Sequence, residues 1–418
     1  MDISELYKIY KSKPIICTDT RKIEKGGLFF ALKGENFNGN LFAAKAISDG
    51  CSFAIIDEKK IAKNDKFILV KNVLETLQNL ARHHRKQLSI PIIGITGTNG
   101  KTTSKELIHA VLKSELNSYA TKGNLNNHIG VPLSILEITK EHKIAIIEMG
   151  ANHEKEIEFL CEIAKPTHGV ITNIGSAHLE GFRNHQGVIN AKNELFNFIK
   201  KNNGLLFVND DDNLLLNLSQ KIERITYGNN GFCKGFITKN TPYLSIKFSK
   251  TEINSQLIGE YQFSNIMLAV CIGNKFNIKD LNIQKAIENY TPKNNRSEIL
   301  KTKDNLLILD AYNANPSSMK AMITSFSKQD YTNKLCILGD MLEMGDFSNE
   351  EHAKIIRTCQ KLKLETLFVG EEFSKLSNKA FKDRNAFEIF LKSNPIKNKT
   401  ILLKGSRGIS LEKLTNYL

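Results

Sequence analysis

PIIGITGTNGKTTSKE, residues 91–106, decides how this chain is read. An apolar run, PIIGIT, ends in a glycine-rich turn. The turn opens onto a helical pattern whose apolar positions are Leu107, Val111 and Leu112. Glycines let a backbone turn tightly and bring its N–H groups up to phosphate oxygens. The N-terminus of the following helix adds the positive end of a dipole. In such a loop Lys101 reaches the β- and γ-phosphates and the Thr102 hydroxyl ligates Mg²⁺. Five residues separate Gly94 from Gly100, one more than the usual phosphate loop has, so the loop is a variant. A glycine-rich turn that binds nothing is the alternative. Such a turn has no need of Gly-Lys-Thr-Thr at the start of a helix, and the stretch predicts ATP.

Outward from this loop, short apolar runs alternate with helical stretches such as 101–116 and 351–363. The runs include KIAIIEM (143–149), HGVITNI (168–174), GLLFVN (204–209), NLLILD (305–310), KLCILGD (334–340), ETLFVG (365–370) and TILLKG (400–405). Several are apolar on both faces, as strands of a parallel sheet covered by helices on each side must be. The rhythm is βαβ, and the fold class is α/β. Residues 225–258 read instead as short β segments outside the parallel sheet. A basic helical stretch, VLETLQNLARHHRKQL, closes a first unit that has its own short strands (LFFAL, FAIID, FILV), and the polar segment TPKNNRSE (291–298) marks a second boundary. Three domains are expected: 1–87, 88–295 and 296–418. A length of 418 residues suits that number at roughly 100–200 residues per domain.

Composition narrows the class further. With 41% hydrophobic and 24% charged residues, the chain can build ordinary cores and is not a disordered polymer. No run approaches the roughly 18 apolar residues of a membrane span. The opening MDISELYKIYKSK lacks the basic cap and apolar run of a secretory signal. Seven cysteines without a CxxC pair argue against a disulfide framework and a thiolate zinc site, and fit a reducing cytoplasm. They read as small buried hydrophobes. The net charge of +14 comes from scattered lysines, not from clusters, so it predicts no nucleic-acid partner.

Phosphoryl chemistry needs oxygen ligands for Mg²⁺. Glu148 ends the strand KIAIIEM, where a parallel sheet faces its ligand crevice, and His178 follows the next strand. Taken singly, Glu148 reads equally well as a surface cap and His178 as a loop histidine. They gain weight because both follow strands of the domain that carries the phosphate loop. Lys192, in NAKNELF, reads as a solvated helical lysine on sequence alone. Asp210-Asp211-Asp212 read as an acidic turn.

Together GTNGKTTSKE, GNLNNHIGVPLSIL (123–136), IIEMGANHEKEIEFLCEIAKPTHGVITNIGSAHLEGF (147–182), NAKNELF (190–196), DAYNANPSSM (310–319), LGDMLEMG (338–345) and LLKGSRG (402–408) resemble the Mur ligases of peptidoglycan synthesis, in order and across nearly the whole chain. DTRKIEKGGLFFALKGENFNGNLF (19–42) resembles the family's UDP-sugar-binding segment. DAYNANPSSM and GDMLEMG resemble the member that joins D-alanyl-D-alanine to a UDP-N-acetylmuramoyl-tripeptide.

The resemblance implies a small α/β N-terminal domain, a central P-loop-type domain with a parallel sheet and a Rossmann-like C-terminal domain. It implies ATP and Mg²⁺, the two peptide substrates, a cytoplasmic location and a monomer. By resemblance Gly97, Thr98, Asn99, Gly100, Lys101, Thr102 and Thr103 hold the ATP phosphates and one Mg²⁺. Glu148 and His178 match positions that hold a second Mg²⁺, and Lys192 matches a lysine that becomes carbamylated. Asn265 matches an adenine-contacting asparagine. Arg296, Asp310 and Asn313 match the ribose and phosphate side. Thr20, Arg21, Lys33, Gly34 and Asn127 lie in segments that surround the UDP-sugar substrate, and Arg407 and the GDMLEMG loop face the dipeptide. Tyr261-Gln262 stand where the family usually has His-Asn. Competing readings are a sister amide ligase, a nucleic-acid-binding ATPase and a dead partner protein that keeps the fold. The narrow motifs, the scattered charge and the intact Lys101, Glu148, His178 and Lys192 speak against each in turn.

Overall fold

The computed structural model describes residues 1–175, 179–182, 184–293 and 295–418. Three sheets of four, nine and six strands follow one another along the chain, with a two-stranded hairpin in the first part. The expected fold class is the observed one.

Strand Ile92–Thr96 sits inside the nine-stranded sheet, paired in parallel with Ile144–Glu148 on one side and His168–Ile171 on the other. Its β-branched residues are buried on both faces: Ile93 and Ile95 join one core cluster and Ile92 the other. The neighbouring strand repeats the alternation, with Ile144 and Ile146 on one face and Ala145 and Ile147 on the other. Because the chain runs from Ile92–Thr96 to the edge strand Ser118–Ala120, returns through Ile144–Glu148 and then crosses to His168–Ile171 on the other side, a crevice opens beyond the carboxyl ends of these three strands. The loops 97–100, 149–152 and 172–175 all start there. The helix Lys101–Lys113 then returns against the sheet and packs on the helix Phe263–Lys275.

The expectation for 225–258 needs correction. Arg224–Gly228 pairs in parallel with Leu205–Asn209, and Cys233–Lys239 begins in parallel beside it before two antiparallel strands finish the same sheet. The edge is half exposed, so these strands lose the two-faced apolar signature of the sheet interior.

In the first part, four short parallel strands run in the order Ile16–Cys17, Leu28–Phe30, Phe53–Ile56, Phe67–Leu69. The helix Val73–Lys86, capped by Asn72, docks this unit onto the helices Gly130–Leu136 and Glu156–Ala164 of the central part. Its Gln78 donates to the His128 carbonyl (3.0 Å) and its Arg85 to the Ala164 carbonyl (2.8 Å). The last sheet is parallel except for its edge strand Glu298–Lys301. Strands Leu306–Asp310 and Thr400–Lys404 lie side by side there, with Asp310 in register with Lys404. All seven cysteines are free and buried. Asp212 caps a short helix and Asp211 accepts from the Asn229 N–H (3.2 Å), so the acidic triplet is a turn.

Candidate active site

The loop after Ile92–Thr96 is shaped by two glycines. Gly97 has φ +141°, and a Cβ there would lie 2.0 Å from the Thr172 Oγ1. Gly100 has φ +80°, and a Cβ would lie 2.8 Å from the Asn265 Oδ1. Only glycine meets both demands. Residues that follow the neighbouring strand brace the loop. The Asn99 N–H donates to the Asn173 Oδ1 (3.0 Å), and its carbonyl accepts from the Thr172 hydroxyl (2.6 Å) and the Asn173 amide (3.0 Å).

The Lys101 ammonium donates to the carbonyls of Gly97 and Thr98. Burial pushes its pKa below the ordinary lysine value, with Glu148 pulling the other way. An ammonium held by neutral carbonyls at the cavity wall is one that an anion can pair with. The cradle therefore suits a polyphosphate.

One residue further, the Thr102 hydroxyl donates to the Glu148 Oε2 (3.0 Å), and the Asn126 amide donates to the Oε1 (2.9 Å). The Lys105 ammonium lies 3.7 Å from the same carboxylate and donates to the Gly123 carbonyl (3.3 Å). A hydroxyl beside a carboxylate is a hard oxygen set of the kind Mg²⁺ takes. Among the described residues no group of three or more His, Cys, Asp or Glu gathers.

A cavity of about 960 Å³ opens from this loop toward the last sheet. Thr98 to Thr103, Asn127, Glu148 and Asn265 line it from the central part, and Arg296, Asp310 and Asn313 from the other side. The sequence-derived nucleotide residues other than Gly97 are thus brought around one space, together with Glu148, expected at the metal, and Asn127, expected at the UDP-sugar. Gly97 lies behind its wall as the Lys101 partner. Asn265 accepts from the Ser104 hydroxyl (2.8 Å) and donates to the Gln262 side chain (2.7 Å). The helix Pro316–Lys328 starts at the rim, capped by Asn315, and reaches the phosphate loop directly. Asn315 donates to the Asn99 Oδ1 (2.8 Å), and Asn99 donates to the Ser317 hydroxyl (2.8 Å).

Other expected residues lie apart. Lys192, on the helix His185–Lys201, is buried behind the wall, 3.5 Å from the Ala151 carbonyl and 5.4 Å from the Phe182 ring centroid. Burial, helped by the Lys101 charge, pushes its pKa down to about 7. It is not the solvated lysine that its helical setting suggests. Arg407 is exposed, its guanidinium 5.6 Å from the centroid of Tyr312, a ring that lines the cavity. Thr20, Arg21, Lys33 and Gly34 belong to the first part, away from the cavity. Arg21 pairs with Asp19 (2.7 Å), and Lys33 pairs with Asp57 (2.8 Å) and Glu58 (3.3 Å). His178 lies outside the described residues.

Sequence reasoning passed over four polar residues that build the site: Lys105, Asn126, Ser317 and Lys404. Lys404 is buried and donates to the Asp310 Oδ2 (2.6 Å). Lys105 follows Lys101 by four positions, so helical spacing alone places both on one face.

Three family models match in order: "Mur ligase family, catalytic domain" over residues 14–85, "Mur ligase middle domain" over 95–273 and "Mur ligase, glutamate ligase domain" over 295–407. Among curated relatives, the UDP-N-acetylmuramoyl-tripeptide–D-alanyl-D-alanine ligase of Bacillus subtilis is 33% identical, with 96% of this chain and 92% of the relative covered. That of Escherichia coli is 30% identical, with 96% and 93% covered. Among solved structures, MurF from Acinetobacter baumannii superposes with a TM-score of 0.87 at 29% identity, with 96% of this chain and 92% of that one covered. MurF ligase from Thermotoga maritima in complex with ADP gives 0.83 at 25% identity, with 96% of each chain covered. A glycine-shaped phosphate cradle, a facing last sheet and relatives that match from end to end lead to one statement: the chain belongs to the Mur ligase family.

Proposed function

We infer that this chain joins D-alanyl-D-alanine to a UDP-N-acetylmuramoyl-tripeptide at the expense of ATP, in the cytoplasm. One observation carries the reading. The carbonyl-bound Lys101 and the Thr102–Glu148 pair face Arg296 and Asp310 across a single cavity of about 960 Å³. The names of its curated relatives supply the substrates. Residues 1–87 take the UDP-sugar, 88–295 the ATP, and 296–418 close over both and receive the dipeptide.

The chemistry follows from the acid's inertness. A carboxylate is anionic and has no leaving group, so an amine cannot displace its oxygen. On this reading the tripeptide's terminal carboxylate attacks the γ-phosphorus of ATP, and ADP leaves. Lys101 and the loop N–H groups hold the oxygens on which charge grows. The dipeptide amine then attacks the acyl phosphate, loses a proton, and expels phosphate as the amide forms. Mg²⁺, when bound, draws phosphate charge together, and Thr102 and Glu148 are the residues to hold it, with His178 by resemblance. Water must be kept from the acyl phosphate, and the contact between Asn99 and the helix Pro316–Lys328 brings the last sheet close enough to do so.

Lys192 fits carbamylation. A lysine with a pKa of about 7 holds much of its amine neutral near neutrality. The neutral nitrogen adds to CO₂, an N–C bond forms, a proton leaves, and a buried cation becomes an anion.

The test is an assay of phosphate release with product identification by mass spectrometry. Release is expected only with ATP, UDP-N-acetylmuramoyl-tripeptide and D-alanyl-D-alanine together. Release that ignores the dipeptide, or a different amine preferred in a substrate panel, overturns the reading.

A further inference from the structure

Tyr261 lies in the turn before the helix Phe263–Lys275, and its hydroxyl reaches out of the central part. It shares a hydrogen bond with the Ser297 hydroxyl (3.0 Å) and contacts the Met322 sulfur (3.1 Å) on the helix Pro316–Lys328. Ser297 lies in the segment that crosses from the central part to the last sheet. That segment is unusual. Asn295 and Ser297, neither a glycine, have φ of +57° and +56°, so both flank Arg296 in left-handed conformations. Such residues persist only where their surroundings hold them.

The holders are visible. The Ser297 N–H donates to the Asp310 Oδ1 (3.2 Å), whose other oxygen takes the buried Lys404 ammonium (2.6 Å). Arg296, between the two left-handed residues, lies 3.7 Å from the Tyr312 ring centroid on the cavity wall. On the other side of Tyr261, its neighbour Gln262 accepts from Asn265, which in turn accepts from Ser104 on the phosphate-loop helix. Burial keeps the Tyr261 phenol protonated by pushing its pKa up, and the Asp310 charge adds to this.

We propose that Tyr261 is a positioning residue: through Ser297 its hydroxyl fixes the crossing segment, and so aims Arg296 and Asp310 at the nucleotide that Asn265 and the phosphate loop hold from the other side. The proposal deepens the reading of this cavity as the ATP site and rests on it. Tyr261 touches no reacting atom. It ties the angle between two halves of the site to one buried hydroxyl pair.

The test is a double-mutant cycle of Tyr261→Phe and Ser297→Ala in the full chain, with Ser297→Gly as a backbone control. Phenylalanine keeps the ring and deletes only the hydroxyl. Glycine accepts the left-handed conformation while deleting the serine hydroxyl. Two quantities are read: kcat of the complete reaction, and the Kd of a non-hydrolysable ATP analogue with Mg²⁺ by calorimetry. Each single variant is expected to weaken analogue binding and lower kcat by roughly five- to tenfold, the worth of one buried hydrogen bond. The KM for the UDP-sugar substrate, bound by the first part, stays unchanged. The double variant is no worse than either single one, and Ser297→Gly matches Ser297→Ala. Wild-type values in Tyr261→Phe, or losses that multiply in the double variant, overturn the proposal. If the wild-type protein shows no dipeptide-dependent release, the proposed reaction fails, and the cycle in analogue Kd still decides the role of Tyr261.

Discussion

Lys101 combines two features that rarely coexist, partial burial at a cavity wall and hydrogen bonds to carbonyls. On the proposed reaction, Lys101→Ala removes the cation that would meet the transferring phosphoryl group. Phosphate release is expected to fall by at least about a hundred- to a thousandfold, the worth of one preorganised donor. Thermal stability should hold or rise, because a half-buried ammonium with no more than carbonyl partners among the described residues, and its desolvation cost, go with the side chain. A large drop in Tm with activity retained would make Lys101 structural. Lys192 yields a prediction in pH. Its folded pKa, about 7, lies below the unfolded lysine value, so the unfolded chain binds more protons between pH 7 and about 10. Stability from this group therefore grows as pH rises through that window, and neutral amine becomes available for CO₂ over the same range. Activity in CO₂-depleted buffer is expected to recover with bicarbonate, more fully at pH 8 than at pH 6. Lys192→Ala should be largely inactive, and short carboxylic acids should partly restore it. Bicarbonate-independent wild-type activity would remove the carbamate from the account.

Among elements, the helix Pro316–Lys328 has two tasks at one residue. The Asn315 side chain caps the helix by accepting from the Ser318 N–H (2.9 Å), and its amide holds Asn99. Two variants separate these tasks. Asn99→Ala breaks the contact with the phosphate loop and leaves the cap, so kcat should fall several-fold with little change in Tm. Asn315→Ala removes both and should also cost about 1 kcal/mol of stability, read as a lower melting temperature. If Asn99→Ala lowers Tm as much as Asn315→Ala does, the contact serves folding and not catalysis. The phosphate loop was legible in the sequence, because its chemistry is written in contiguous residues, Gly-Lys-Thr at a helix start. Lys404 was not, since its partner Asp310 stands 94 residues away and a lysine at a strand end carries no local sign of burial. Tyr261 was noticed only as a departure, because Ser297 meets it through the fold. The strands at 224–254 were misplaced for a related reason: at a sheet edge, exposure alternates and the two-faced pattern of a parallel interior fades.

Across the whole molecule, the reaction needs the last sheet to approach the phosphate loop while the acid, the nucleotide and the amine stay aligned. The point of closest approach is small and specific. Asn99 meets Ser317, and a Cβ on Gly175 would lie 2.8 Å from the Ser317 hydroxyl, so neither side has room for a larger group. A bulky residue there should hold the two parts open, since Ser317 is half-buried at the cavity rim and faces the phosphate loop. Misplacing reacting groups by about 1 Å can cost about a hundredfold in rate. Ser317→Trp is therefore expected to lower complete phosphate release by about that factor and to enlarge the radius of gyration measured by small-angle scattering in the presence of an ATP analogue. Binding of the UDP-sugar substrate should be unaffected, because the first part lies away from the wedge. An open molecule exposes the acyl phosphate, so the little phosphate that is released should depend less on the dipeptide than in the wild-type protein. Wild-type scattering and turnover in Ser317→Trp would mean that closure does not run through this contact.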